Sequence, residues 1–250
     1  MIDNFPKKEI SPPKTFDELV ERLKEIKEIG YVRTHRAGPT GIGKTLEDLL
    51  GIKENNVIGP DAVMLELKSA RKNSRSMITL ITKSPLPEGA NRVLLEMFGY
   101  PYPTPTSTKK ALHTTLNPPP HWTTVREKKA FRLNLADDRI ELISIDEKIL
   151  AYWTEKSLEE IFKKKYPHGL VFVKAECRGR GKNEEFWFNE AWLLRGFNFA
   201  AIKHLIAQGV IRIDIRIGQY PDGRPHDHGT GFRVFEEKFD LCFKDRKRLV

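Results

Sequence analysis

Apolar residues recur at helical intervals near the start of the chain. They form a stripe at spacings of three and four residues: Phe16, Leu19, Val20, Leu23 and Ile26. Thr15 and Glu18 have the spacing of a capping box, which marks the beginning of a helix, and Gly30 is a typical helix end. The pattern therefore predicts an amphipathic helix between Thr15 and Gly30. Shorter stripes predict further helices from about Thr45 and over residues 91–98, 157–165 and 199–208.

Alternation of apolar and polar residues predicts strands between these helices. We expect a β-hairpin of residues 62–68 and 77–83 joined by a basic tip, and a second hairpin of residues 131–135 and 140–145. Residues 170–175 are predicted to form one strand, and residues 210–234 two strands joined by a long polar loop. Helices and strands thus alternate without a repeat, which predicts a mixed α/β fold.

The overall charge narrows the class of partner. The 250 residues carry a formal net charge of +9, with 39% hydrophobic and 31% charged residues, which is typical of a soluble globular protein with an anionic partner. Nucleic acid is the first candidate and an anionic membrane surface the second. The chain begins without the apolar run of a signal peptide, and its two cysteines, Cys177 and Cys242, cannot form a disulfide framework. We therefore expect a cytoplasmic protein.

Residues 38–45, GPTGIGKT, fit the phosphate-binding P-loop pattern G-x-x-x-x-G-K-[ST]. A P-loop follows a buried parallel strand, because its amides must converge on phosphate at the carboxyl end of that strand. Residues 31–37 are too polar for such a strand. A turn that begins a helix is the better interpretation, and a P-loop NTPase remains the less favoured alternative.

The pattern P-D-x(4)-E-x-K brings Asp61, Glu66 and Lys68 close together in sequence. On a strand of residues 62–68, Glu66 and Lys68 project from one face, and Asp61 at its start can turn toward them. Two carboxylates and an amine suit Mg²⁺-dependent phosphodiester hydrolysis, since carboxylate oxygens hold Mg²⁺ and an ammonium can orient water. Glu47, on the predicted short helix, could add a carboxylate. The same spacing also occurs on solvated strand faces, so the pattern alone leaves both readings open.

A second candidate site lies on residues 210–217, where four isoleucines at odd positions alternate with charged residues. Arg212, Asp214 and Arg216 would share the polar face of this strand. Such a row suits the major groove of DNA, where arginine binds guanine and aspartate accepts from cytosine. A face of mutually paired charges explains the pattern equally well. His226 and His228 follow, and with no further ligand nearby they suit base reading better than Zn²⁺.

Two blocks of sequence carry a family resemblance. The first is TGIGKTLEDLL…GPD…LELK…ITLITKSP…GAN within residues 38–91, and the second is IDIRIGQY…HDHGTGFR within residues 211–233. In content and order they resemble the MvaI/BcnI-type restriction endonucleases, MvaI more than BcnI. That family belongs with the mismatch-repair nickase MutH in the PD-(D/E)xK nuclease superfamily. Residues 1–14 and 101–198 carry no matched motif.

The resemblance implies a PD-(D/E)xK core, with a mixed sheet flanked by helices and two lobes that form a DNA clamp. It implies that Asp61 and Glu66 bind the metal, that Lys68 is the catalytic lysine, and that Glu47 is the helix-borne glutamate of the site. Base recognition would fall to residues in the second block: Asp214, Arg216, Tyr220, His226, His228 and Arg233. Because residues 101–120 are rich in Pro and Thr, typical of a surface connection, we expect a catalytic lobe of residues 1–115 and a DNA-recognition lobe of residues 116–250, which can be interwoven.

The function implied by the resemblance is that of a type II site-specific deoxyribonuclease. We expect a monomer that cleaves double-stranded DNA with Mg²⁺, one strand at a time, at a short CC-N-GG-like pseudopalindrome. A cognate DNA methyltransferase that acts on the same site would be its partner. The main alternative is a MutH-like repair nickase that depends on partner proteins, and a DNA-binding module without catalysis is a further one.

Overall fold

The computed structural model describes residues 11–52, 65–101, 109–220, 222–227 and 229–250. The chain folds into two units, each built from segments that are separate in sequence. The first unit contains the described residues up to Ser74 together with Tyr166–Gly196 and Phe243–Val250, and the second contains Arg75–Lys165 and Phe197–Cys242. The predicted boundary at residue 115 therefore lies inside the second unit, and the units are interleaved in sequence.

Five α-helices lie in the described part of the chain: α1 Phe16–Ile29, α2 Gly41–Leu49, α3 Ala90–Phe98, α4 Glu155–Lys165 and α5 Phe199–Ala207. Each agrees with a predicted helix, although α2 begins four residues earlier than expected. The hydroxyl of Thr15 accepts a 3.1 Å hydrogen bond from the backbone N–H of Glu18, and Gly30 ends α1 with a φ of 80°. The predicted capping residue and helix end of α1 are thus confirmed.

The strands are, in chain order, β1 Val32–Arg33, β2 Glu66–Arg71, β3 Met77–Thr82, β4 Tyr100–Pro101, β5 Lys110–Thr115, β6 Trp122–Val125, β7 Lys128–Leu135, β8 Arg139–Ser144, β9 Ile149–Thr154, β10 Leu170–Arg178, β11 Glu185–Arg195, β12 Ile211–Gln219, β13 Pro225–Asp227, β14 Gly231–Phe235 and β15 Asp245–Arg248. Two short 3₁₀ segments, Gly181–Asn183 and Glu236–Cys242, complete the described elements.

The first unit is built around β10 and β11, which form a long antiparallel pair. Strands β1 and β15 also pair antiparallel with β11, whereas β2 pairs parallel with β10 and lies at the edge of the sheet. Helices α1 and α2 supply apolar residues to one buried cluster with this sheet, including Leu23, Leu46, Val171, Val173 and Phe186. Helix α2 is therefore held by burial of its apolar face.

The second unit contains two sheets. One has the order β3-β14-β12-β5-β4, with β13 paired to β12, and the other is the antiparallel meander β6-β7-β8-β9. The predicted hairpin of residues 131–135 and 140–145 is confirmed by the pairing of Leu135 with Ile140 in β7 and β8. The predicted strand pair of residues 210–234 is confirmed by β12 and β14.

Two predictions about strands are wrong. Strand β2 does not form a hairpin with β3: β2 pairs with β10 in the first unit, and β3 pairs with β14 in the second. Each strand satisfies its hydrogen bonds with a partner far away in sequence. The stretch of residues 101–120 is also not wholly a surface connection, because β5 lies within it and buries Ala111 and Leu112.

The mixed α/β fold class predicted from the sequence is confirmed by these elements. No helix among the described residues is long and apolar enough to cross a membrane.

Candidate active site and recognition strand

Glu66 and Lys68 occupy alternate positions of β2 and so project from the same face of this edge strand. Leu67 between them packs against the apolar cluster under α1 and α2, so the charged pair points the other way. The Nζ atom of Lys68 lies 3.4 Å from Oε1 of Glu66, with 20% and 36% of their side chains exposed. The structure thus brings together two of the predicted catalytic residues, where solvent reaches both.

The other two predicted catalytic residues are placed less completely. Glu47 lies half-buried on α2. This helix packs closely on β2, since a Cβ atom added at Gly43 would lie 3.8 Å from the Ser69 hydroxyl oxygen. Asp61 lies outside the described residues. The backbone N–H of Glu66 donates to Gly169 O at 3.2 Å, which fixes the start of the strand directly after the segment that contains Asp61.

Arg71, at the end of β2, anchors the loop that precedes α2. Its Nε and Nη2 donate to both carboxylate oxygens of Glu184 at 2.7 and 2.8 Å. Its Nη2 and Nη1 also donate to the carbonyls of Gly38 and Pro39 at 3.0 and 3.1 Å. The loop therefore turns carbonyl oxygens toward a cation, which is the opposite of a P-loop, whose amides converge on an anion.

The lysine of the GPTGIGKT motif has a local partner. Lys44 Nζ lies 2.7 Å from Oδ1 of Asp48, one turn along α2, and His35 Nδ1 lies 2.9 Å from Oδ2. Burial would raise the pKa of Asp48, but the hydrogen bonds and charges of Lys44 and His35 outweigh it and lower that pKa. The strand before the motif, β1, has two residues and runs antiparallel to its neighbour β11. The motif therefore begins a helix, as its polar upstream flank indicates.

A cluster of charged residues that no sequence motif singled out lies on the same sheet face as Glu66 and Lys68. Glu190 Oε2 lies 3.0 Å from Lys72 Nζ, and its Oε1 lies 3.4 Å from Lys174 Nζ and accepts from the Trp192 indole at 2.7 Å. Burial would raise the pKa of Glu190, but the bonds from Trp192 and Lys72 and the charge of Lys174 lower it to about 2. In the sequence, the sign of this cluster is the presence of single charged residues, such as Lys174 and Glu190, within otherwise apolar strands.

The donor set on β2 suits a hard divalent cation in part. The Glu66 carboxylate supplies exposed oxygen atoms, which are the ligands that such ions prefer. Among the residues that the structure describes, no group of three His, Cys, Asp or Glu side chains is arranged to hold a metal ion. The predicted metal site also includes Asp61, which lies outside the described residues.

In the second unit, β12 has the predicted alternation. Its four isoleucines are at most 2% exposed: Ile211, Ile213, Ile215 and Ile217. On the opposite face, Asp214 is 6% exposed, accepts from the Thr115 hydroxyl at 2.7 Å and forms a 2.9 Å ion pair with Arg233 Nη1. Asp214 is thus paired within the protein, as the reading of a face of paired charges predicts, whereas contact of this face with DNA stays a prediction.

Arg216 contrasts with its neighbour Asp214. Its Nε atom is buried, and the described residues provide it with no hydrogen-bond acceptor. Its Nη2 lies close to Gly231: a Cβ atom added to that glycine would be 3.4 Å from Nη2. Across the strand pair it is opposite His113, an exposed residue of β5 that belongs to no predicted motif. The position of His113 follows from strand register, which the sequence pattern did not reveal.

The predicted residues beyond β12 lie around β13. The rings of Tyr220 and His226 are 4.5 Å apart with a 60° interplanar angle, and Arg224 Cζ lies 5.7 Å from the Tyr220 ring centre. His226 pairs in register with Gly218 of β12. His228 lies outside the described residues. The structure thus places Tyr220 and His226 together, at one end of the strand that carries Asp214 and Arg216.

A sequence model of the MvaI/BcnI restriction endonuclease family matches residues 20–243 of the chain. The chain belongs to this family. Membership confirms the predicted resemblance and the predicted enzyme class, a type II site-specific deoxyribonuclease. No curated protein matches the chain.

Solved structures agree with the family assignment. One is described as restriction endonuclease MvaI in complex with its cognate DNA substrate; it is 29% identical, with a TM-score of 0.70, and the match covers 94% of this chain and 98% of that one. A second, MvaI in the absence of DNA, is 30% identical with a TM-score of 0.63, covering 96% and 99%. The predicted restriction-endonuclease fold is therefore confirmed over nearly the whole length of this family member.

Proposed function

We propose that this endonuclease cleaves double-stranded DNA with Mg²⁺ at a short pseudopalindrome of the CC-N-GG type. The observation that carries this proposal is the Glu66–Lys68 pair on β2, a carboxylate and an ammonium 3.4 Å apart and open to solvent. Family membership supplies the reaction class, and the similarity to MvaI bound to its cognate DNA supports duplex DNA as the substrate.

Each catalytic residue has a role that follows from its chemistry. Asp61 and Glu66 would hold Mg²⁺, which, when bound, supplies positive charge to the scissile phosphate and lowers the pKa of a ligated water. Lys68 orients the attacking water and offsets the charge that develops on the phosphate oxygens. Glu47, on α2, would add a further carboxylate to the site, as the family resemblance implies. Attack on phosphorus leaves 5′-phosphate and 3′-hydroxyl ends.

Sequence reading would come from the second unit. Arg216 and Arg233 lie half-buried on the paired strands β12 and β14, and their guanidinium groups would bind guanine O6 and N7. Asp214 orients Arg233 through its 2.9 Å ion pair. Tyr220 and His226, whose rings are in contact, and His228 would bind the remaining base edges.

Three further features complete the proposed activity. The enzyme acts as a monomer that cuts one strand for each binding event, because one chain carries one Glu66–Lys68 pair. A cognate methyltransferase protects the host DNA at the same sequence. The protein works in the cytoplasm, where its DNA substrate and its reduced cysteines are both found.

Digestion of a DNA of known sequence by the purified chain tests the proposal. With Mg²⁺ we expect discrete fragments whose 5′-phosphate ends map to one short sequence, and a nicked intermediate on a supercoiled plasmid. The same reaction without divalent ion should leave the DNA intact. Cleavage only after addition of other proteins would instead indicate a repair nickase, and random fragments would contradict sequence specificity.

A further inference from the structure

Three exposed cations crowd the turn between β6 and β7. Arg126, Lys128 and Lys129 lie within four consecutive residues, with Glu127 as the only carboxylate among them. Within the described residues, no carboxylate lies within ion-pairing distance of these three cations. The hairpin therefore holds positive charge that the described part of the protein does not neutralise.

The backbone of this turn is unusual for such side chains. Arg126 and Glu127 have φ angles of 49° and 67°, the left-handed values that a two-residue hairpin turn requires and that Asn and Gly usually supply. The chain keeps two long charged residues at positions where they are unfavourable for the backbone. Backbone strain of this kind concentrates at functional positions.

Aromatic rings, rather than carboxylates, hold two of the cations in place. Lys129 Nζ lies 4.1 Å from the centre of the Trp122 ring, and Arg126 Cζ lies 4.4 Å from that of Tyr100. A cation over an aromatic face is positioned without loss of its charge. We call the surface of Tyr100, Trp122, Arg126, Lys128 and Lys129 the basic hairpin surface.

This surface adjoins the sheet that contains β12. Tyr100 lies in β4, two strands from β12 in the order β12-β5-β4. Its hydroxyl accepts from the backbone N–H of His113 at 3.3 Å, and His113 is the residue opposite Arg216. The two strand spacings between β12 and β4 amount to roughly 10 Å. This is the length of about three base pairs of duplex DNA.

We propose that the basic hairpin surface binds phosphates of the duplex that flanks the sequence read by β12. Phosphate contacts of this kind position the protein without reading bases. They also release counterions, so they make binding depend on salt. This inference rests on the proposed function, because it places the read sequence at β12.

The test compares two double variants that remove the same charge. Arg126→Gln with Lys129→Gln removes two cations from the surface. The control, Arg22→Gln with Lys163→Gln, removes an arginine and a lysine that are paired with Glu25 and Glu159 on exposed helix faces. The dissociation constant of each full-length protein for a 30-base-pair duplex of arbitrary sequence is measured without divalent ion, at several KCl concentrations.

The hairpin variant should bind about tenfold or more weakly. A plot of the logarithm of the association constant against the logarithm of the salt concentration should be less steep by about 1.8, since each phosphate that is no longer neutralised accounts for roughly 0.9. The control should retain the wild-type slope. Equal slopes for the hairpin variant and the wild type, or an equal reduction in both variants, would overturn the proposal. If the glutamines disturb the turn, Lys128→Gln with Lys129→Gln gives the same comparison outside the two left-handed positions.

A second measurement tests the flanking position and separates this inference from the proposed function. Once the cleaved sequence is mapped, duplexes carry it with flanks of either 3 or 12 base pairs. The wild type should bind the longer duplex more tightly, and the hairpin variant should bind both alike. An equal gain in both proteins would refute the flanking contact. Failure of the wild type to cleave any DNA would refute the proposed function, whereas the salt slopes on arbitrary duplex would still test the surface.

Discussion

Lys68 Nζ lies 3.4 Å from Glu66 Oε1, and both side chains leave the same face of the edge strand β2. The strand is held in parallel register against β10, with Glu66 beside Leu170 and Lys68 beside Phe172. The two neighbours on β10 are fully buried. The Glu66–Lys68 pair thus lies beside buried core residues on one side and is reached by solvent on the other.

Glu66→Gln tests whether this carboxylate holds the metal. The variant removes a charged oxygen ligand, so the Mg²⁺ concentration for half-maximal cleavage should rise at least ~10-fold. Higher Mg²⁺ should restore part of the rate. The control Glu25→Gln removes an exposed carboxylate of α1 that pairs with Arg22 and should leave the Mg²⁺ dependence unchanged. A loss of rate that no Mg²⁺ concentration relieves would argue against a ligand role.

Arg71→Ala should destabilise the first unit through the loop before α2. The substitution removes two bonds to Glu184 and two to the carbonyls of Gly38 and Pro39. We expect the free energy of unfolding in urea to fall by about 2–3 kcal/mol, since charge-assisted bonds are lost from a half-buried site. Arg92→Ala, which breaks an exposed pair with Glu96, should cost less than about 0.5 kcal/mol. Equal losses in the two variants would contradict the anchoring role.

Asp214 and Arg233 should be energetically coupled. Arg233→Ala leaves a carboxylate that is 6% exposed without its cation, so we expect a loss of about 3 kcal/mol in unfolding free energy. Adding Asp214→Asn should recover part of that loss, and a double-mutant cycle should give a coupling of about 2 kcal/mol. Strictly additive effects would show that the ion pair does not hold Arg233.

Glu190 should make stability depend on acid pH. Its pKa falls from 4.5 to about 2 on folding, so its contribution is complete above pH 4.5 and is lost as the pH drops toward 2. We expect the difference in unfolding free energy between the wild type and Glu190→Gln to be constant near neutral pH and to shrink over this interval. A difference that is the same at pH 7 and pH 2.5 would contradict the role of Lys72 and Lys174.

The sequence predicted the elements whose signals are local. Thr15, Glu18 and Gly30 lie next to the helix that they delimit, so the bounds of α1 follow from them. The alternation in residues 210–217 likewise identified the buried and polar faces of β12. Two of the predicted site residues, Glu66 and Lys68, lie together because a strand of any pairing keeps alternate residues on one face.

What the sequence did not predict depends on partners far along the chain. The hairpin expected between β2 and β3 is wrong because strand pattern does not say which strand is the partner. The Arg71–Glu184 pair spans 113 residues, and His113 lies opposite Arg216 only because of the register of β5 on β12. Such contacts require the tertiary structure.

Single-turnover cleavage by Lys68→Ala tests the central claim most directly, when it is measured beside DNA binding and beside the control Lys163→Ala on α4. We predict that the rate on the mapped sequence falls at least ~100-fold, whereas the dissociation constant for the same duplex without divalent ion changes little. Lys163→Ala should cleave at the wild-type rate. Cleavage by Lys68→Ala at the wild-type rate would contradict the assignment of the Glu66–Lys68 pair as the catalytic site.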